Sequence, residues 1–122
     1  KNPALALVAT GFGYDAQRRA AQAELLTKLL PQVRDIRRIG AAALDLCRVA
    51  EGTVDAYFEH GINAWDFAAG AIIAREAGAV VRHPGFDKGS ADGELTWAAG
   101  ADLAPAFEKL LAAHRATDAL RG

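Results

Sequence analysis

Two hydrophobic rhythms alternate along this chain. Ala4-Leu5-Ala6-Leu7-Val8-Ala9 is a short unbroken apolar run that ends at Gly11-Phe12-Gly13, and it reads as a strand buried on both faces and closed by a glycine turn. Asp15 is placed to cap a helix whose apolar face is Ala21, Leu25, Leu26 and Leu29, and Pro31 stops it. Asp35 to Ile39 reads as a second, short strand. After Gly40 the helical rhythm returns, with Ile39, Ala43, Leu46, Cys47 and Ala50 on one stripe and Gly52 as the terminating glycine. Val54 to Glu59 alternates like a half-buried strand and Gly61 ends it. Asn63 caps the next helix, whose predicted stripe is Trp65, Ala68, Ala69, Ile72 and Ile73, and Gly78 closes it. Ala79 to Val81 and Leu95 to Ala99 read as strands on either side of a loop rich in Gly, Asp and Pro. Asp102 is expected to cap a last helix that buries Leu103, Phe107, Leu110 and Leu111, with Pro105 tolerated in its first turn. Residues 116–122 are expected to fray.

Strands that alternate with helices predict an α/β protein, a layered α-β-α arrangement with a mixed sheet covered by helices. The 122 residues suffice for one modest domain. Basic and acidic residues nearly balance, at 14 against 15, and no basic block tracks a nucleic-acid backbone, so no nucleic-acid partner is expected. No apolar run approaches the roughly 20 residues that span a bilayer, so no membrane association is expected. Cys47 is the only cysteine, which fits a reducing, cytoplasmic setting, and at an apolar helical position it reads as a core thiol. The chain has no methionine and begins at Lys1, so it is expected to be a piece of a longer protein that lacks an N-terminal part.

Few residues are candidates for chemistry. Asp66 sits in the first turn of an apolar helix, followed by the small residues Ala68 and Ala69. An acidic residue there is most often a cap, worth about 0.3–1 kcal/mol against the positive end of the helix dipole. The same field favours an ionised carboxylate, which suits an oxygen ligand for a hard cation such as Mg2+. Gly40-Ala41-Ala42 opens a helix, and such a start presents unpaired N–H groups to phosphate or hydroxyl oxygens, or serves as an ordinary turn. Glu59 shares a strand face with Asp55 and Tyr57; it is either solvated or an acceptor for the hydroxyls of a polyol. His60, His83 and His114 lack metal-ligand spacing, and His60, bordering Glu59, reads as a surface residue. Gly11-Phe12-Gly13 is too short to be a dinucleotide fingerprint.

Three segments together carry a resemblance. They are RRIGAAALDL (Arg37 to Leu46), VDAYFEHG (Val54 to Gly61) and WDFAAGAIIAREAG (Trp65 to Gly78). In order and spacing they resemble the C-terminal half of the inositol monophosphatase family, and of its bacterial inositol-1-phosphatase branch in particular; the TGFG turn at Thr10 to Gly13 is similar too. The family's N-terminal motifs, which supply most of its metal ligands, do not occur here. The resemblance implies that residues 1–115 are the C-terminal α/β domain of a sugar-phosphatase-like fold. It implies Mg2+-assisted hydrolysis of a small phosphorylated polyol, inositol-1-phosphate first, with fructose-1,6-bisphosphate or histidinol phosphate as rival substrates. Asp66 is then the metal ligand and catalytic residue, Gly40, Ala41 and Ala42 line the substrate pocket through their backbone, and Glu59 accepts from an inositol hydroxyl. Position 41 is often Ser or Thr in the family, so Ala41 forgoes a hydroxyl contact. A homodimer is the common assembly of such proteins. Without the N-terminal half the chain is expected to be inactive and to expose apolar surface where that half docks. A non-catalytic interaction module, with Asp66 only a cap, is the reading from another class.

Overall fold

The computed structural model describes residues 2–120. The chain runs β1 (Leu7–Thr10), α1 (Ala16–Leu29), β2 (Asp35–Arg37), α2 (Ala42–Glu51), β3 (Ala56–His60), α3 (Ala64–Glu76), β4 (Val80–Arg82), β5 (Leu95–Ala99) and α4 (Ala104–Ala113). One sheet holds the strands in the order β2-β1-β3-β5-β4. β1 is parallel to β2 and β3, whereas β5 is antiparallel to β3 and β4. α1 and α4 cover one face of the sheet, over Val8, Phe58 and Trp97. α2 and α3 cover the other, over Ala9, Tyr57 and Ala98. The expected α-β-α layering with a mixed sheet is therefore what forms. Among the described residues no helix is long and apolar enough to cross a membrane.

Local chemistry explains where the elements begin and end. Asp15 accepts from the Arg18 N–H at 2.9 Å and starts α1. Gly52 ends α2 in the left-handed conformation, φ +79°, its N–H bonded to the Arg48 and Val49 carbonyls. The first strand begins later than expected, because Asn2 caps a 3-10 turn over Pro3–Leu5 with its side chain. Asp102 is not the cap of the last helix. Leu103 occupies that position, and the Leu103 and Ala104 N–H groups bond to the Gly100 carbonyl at 3.0 and 2.9 Å.

The buried faces depart from the predicted stripes in an instructive way. α4 buries Leu103, Phe107, Leu110 and Leu111 as expected. α1 buries Arg18 and Gln22 alongside Leu25 and Leu29, and leaves Ala21 and Leu26 half-buried. α2 turns Asp45, Leu46 and Val49 inward; Ile39 and Ala43 are exposed, and Cys47 is half-buried rather than core. α3 buries Phe67, Gly70, Ala71 and Ala74, while Trp65 is 81 % exposed and Ile72 62 %. The cause is close helix packing. A Cβ at Gly70 would stand 2.8 Å from the Leu46 Cβ, so α3 turns Gly70 to α2 and leaves Trp65, Ile72 and Ile73 outside. β3 is not half-buried either. With helices on both sides of a central strand, only Glu59 within it is not fully buried.

The segment expected to fray is packed as far as Leu120. Ala116 is buried, and its carbonyl accepts from His60 Nε2 at 2.6 Å. The Leu120 N–H donates to the Gly93 carbonyl at 2.8 Å. Arg121 and Gly122 lie outside the described residues.

Candidate active site

The topology points to one edge of the sheet. β1 lies between β2 and β3, all three parallel, and the connections from β1 and β2 leave through helices on opposite faces. A crevice opens at the carboxyl ends of strands where the direction of winding reverses in this way. A cavity of about 860 Å³ lies there, and Gly40, Ala41, Ala42, Glu59 and Asp66 all line it. The residues singled out from the sequence are thus neighbours in space although α2 and β3 separate them along the chain.

Each of them is held by its element. Gly40, at φ +91°, supplies the left-handed turn that carries the chain from β2 into α2, a conformation costly for residues with a Cβ. Ala41 occupies the capping position of α2 and offers no side-chain bond to the helix start. The first N–H groups of α2 therefore have no side-chain partner among the described residues, and Ala41, Ala42 and Ala43 present this turn to the cleft. Asp66 lies in the first turn of α3, where its Oδ2 accepts from the Asn63 N–H at 2.9 Å. Its other oxygen makes no hydrogen bond, and the carboxylate no salt bridge, among the described residues. A carboxylate with one oxygen anchored and the other uncommitted fits a cation ligand. Among the described residues no group of three or more His, Cys, Asp and Glu side chains is placed to hold a metal ion.

Glu59 projects from β3 at the same end. The Tyr57 hydroxyl donates to its Oε1 at 2.8 Å. Gly11 makes room for the carboxylate, since a Cβ there would stand 2.5–2.8 Å from its atoms. Burial pushes the Glu59 carboxyl above its usual range and the nearby Asp66 charge adds to this, against the Tyr57 hydrogen bond and Arg38, which pull it down.

Other polar groups near the cleft escaped the sequence reading. Asp45, the acidic residue inside the RRIGAAALDL string, is fully buried, and neither of its oxygens has a hydrogen-bond partner among the described residues. Burial first, then the charge of Glu59, raises its pKa to about 7, with Arg38 opposing. The signal was an acid that interrupts an apolar helical run. Arg18 and Gln22 gave no such signal, because α1 reads as a helix whose polar side faces water. His60 is a correction: it is buried rather than on the surface, and burial pushes its pKa down.

The sequence profile of the inositol monophosphatase family matches residues 2–119. The chain belongs to that family. A stretch of 80 residues, 66 % of this chain, is 64 % identical to the inositol-1-monophosphatase of Mycobacterium leprae and covers 28 % of that relative. A stretch of 76 residues is 49 % identical to the Nus factor SuhB of Pasteurella multocida, covering 62 % of this chain and 28 % of that one. The solved structure of Mycobacterium tuberculosis SuhB superposes with a TM-score of 0.84 at 46 % identity, over 96 % of this chain and 45 % of the other. The chain therefore spans less than half the length of these members of the inositol monophosphatase family.

Proposed function

We propose that this chain is the C-terminal part of a Mg2+-dependent phosphatase that hydrolyses inositol-1-phosphate to inositol and phosphate. The observation that carries the reading is convergence. The uncommitted Asp66 oxygen, the Glu59 carboxylate and the uncapped start of α2 border a single cleft at the reversal point of the sheet. Family membership and the name of the Mycobacterium leprae relative support the phosphatase class. Asp66 would hold one Mg2+ through its uncommitted oxygen. When bound, such a cation polarises the phosphoryl oxygens and steadies the departing alkoxide. The backbone of Gly40, Ala41 and Ala42 would receive substrate oxygens, the helix start favouring negative charge there. Glu59, oriented by Tyr57, would accept from a ring hydroxyl and fix the polyol. Mg2+ takes about six oxygens, and water, the substrate phosphate and carboxylates of further polypeptide would supply the rest. The exposed apolar face of Trp65, Ile72, Ile73 and Leu44 is then the surface that polypeptide covers. On this reading the 122 residues alone turn over no substrate.

The test is a Mg2+ titration of full-length protein and its Asp66→Asn variant, followed by steady-state rates on inositol-1-phosphate, fructose-1,6-bisphosphate and histidinol phosphate. The expected result is a loss of metal affinity of at least about tenfold in the variant and the highest kcat/KM on inositol-1-phosphate. Unchanged affinity favours a non-catalytic interaction module, a reading that draws on the Nus factor name of the Pasteurella multocida relative. A preference for either other substrate moves the assignment within the family.

A further inference from the structure

Arg18 is 7 % exposed, and it forms no salt bridge among the described residues. A buried charge is costly unless hydrogen bonds replace its water. Here backbone carbonyls do so. Nε donates to Leu120 O at 2.7 Å and Nη2 to Ala91 O at 3.3 Å. Nη1 lies over Gly61, at φ +79°, where any Cβ would collide with the guanidinium. Arg18 thus joins α1 to the Ser90–Asp92 turn and to the far end of the chain.

The turn continues the series toward the cleft. The Ser90 N–H, next to Ala91, donates to Asn63 Oδ1 at 2.7 Å. The Asn63 N–H in turn donates to Asp66 Oδ2 at 2.9 Å. The turn itself is internally tied, its Gly89 N–H bonded to Asp92 Oδ2 at 2.8 Å, so it passes displacement on rather than absorbing it. Asn63 is therefore fixed from two sides, by its side chain to the turn and by its backbone to the carboxylate.

We propose that Arg18 is a positioning residue: by clamping the 90–91 turn it fixes Asn63, and through Asn63 the pose of the Asp66 carboxylate that leaves one oxygen for a cation. This rests on the reading of Asp66 as a metal ligand. Removing the guanidinium frees the turn and Asn63, and Asp66 then samples rotamers that bind a cation poorly.

The experiment uses full-length protein and Mn2+ binding by calorimetry, with kcat and KM measured in parallel. Arg18→Ala is expected to weaken Mn2+ affinity by about tenfold. KM for inositol-1-phosphate stays within about twofold, and methylguanidinium restores part of the lost affinity. Asn63→Ala leaves the Arg18 bonds intact and gives a similar loss, and the double variant is no worse than the weaker single one, as expected of residues acting in series. Should Arg18→Ala fail to fold, Arg18→Lys replaces it, with an intermediate loss expected. Folded Arg18 variants with wild-type Mn2+ affinity, or additive losses in the double variant, overturn the proposal. Asp66→Asn separates the two claims. If it leaves Mn2+ affinity unchanged, the metal-site reading falls. The clamp is then judged by amide exchange at Asn63 to Asp66, which must quicken in Arg18→Ala or the clamp falls too.

Discussion

The two helical layers of this molecule are finished to different degrees. Under α1 and α4, buried polar groups have partners. Arg18 donates to two carbonyls, Gln22 accepts from the Gly13 N–H at 3.0 Å, and His60 donates to Ala116. Under α2 and α3, both Asp45 oxygens and the Thr96 hydroxyl have none among the described residues. Thr96 pairs with Glu59 across the β3–β5 ladder and so shares its face. The outer side differs as well, since α3 turns Trp65 and Ile72 outward while α4 buries its large apolar residues. A layer that exposes its large apolar residues fits the proposed cover over α3. That agrees with a chain spanning 45 % of its solved relative.

The largest expected effect tests which layer carries the core of the chain by itself. Phe107→Ala removes a ring buried against Phe58 and Trp97 and should cost about 3–5 kcal/mol in urea unfolding of the 122-residue chain. Ile72→Ser in the same chain should move stability by less than about 0.5 kcal/mol. In full-length protein the second change should become destabilising by more than about 1 kcal/mol, and equal effects in both lengths would remove the proposed cover over α3. Next comes Gly70→Ala. Its methyl group would press on Leu46 Cβ at 2.8 Å and Cδ1 at 2.9 Å, so a loss of about 1–3 kcal/mol is expected by the same measurement.

The layers also separate by pH. Asp45 has its pKa raised from 3.8 to about 7, so the folded state binds more protons than the unfolded one between those values. Stability therefore falls as pH rises through this window, by at most about 1.4 kcal/mol per unit, and levels off above it. His60 has the opposite sign. Its pKa is lowered from 6.5, so stability falls as pH drops below that value and the unfolded chain takes up the proton first. Asp45→Asn should remove the fall in stability as pH rises from 3.8 to about 7, and His60→Gln the opposing fall as pH drops below 6.5. A profile unchanged by Asp45→Asn would mean that its carboxyl is solvated after all.

Much of the fold was legible because strands and helices announce themselves by period, and the resemblance carried by WDFAAG and its companion strings placed them in a family. Asp66, Glu59 and the Gly40 turn were legible as well, and they line one cleft. Helix orientation was not. The stripe Trp65, Ala68, Ala69, Ile72 and Ile73 is a sound amphipathic pattern, yet α3 has apolar residues on both sides, and close approach to Leu46 rather than hydrophobicity decides which side turns inward. Arg18 was illegible for a related reason. A cation on a helix predicts water, and only the carbonyls of Ala91 and Leu120 show why it is buried.

The bond between Arg18 and Leu120 also sets a timetable. Its two residues are separated by 102 positions, and at synthesis rates of about 5–20 residues per second the acceptor emerges roughly 5–20 seconds after the donor. Until then Nη2 can reach Ala91 but Nε lacks its acceptor, so a product stopped short of Leu120 would carry the whole sheet with the guanidinium only half held.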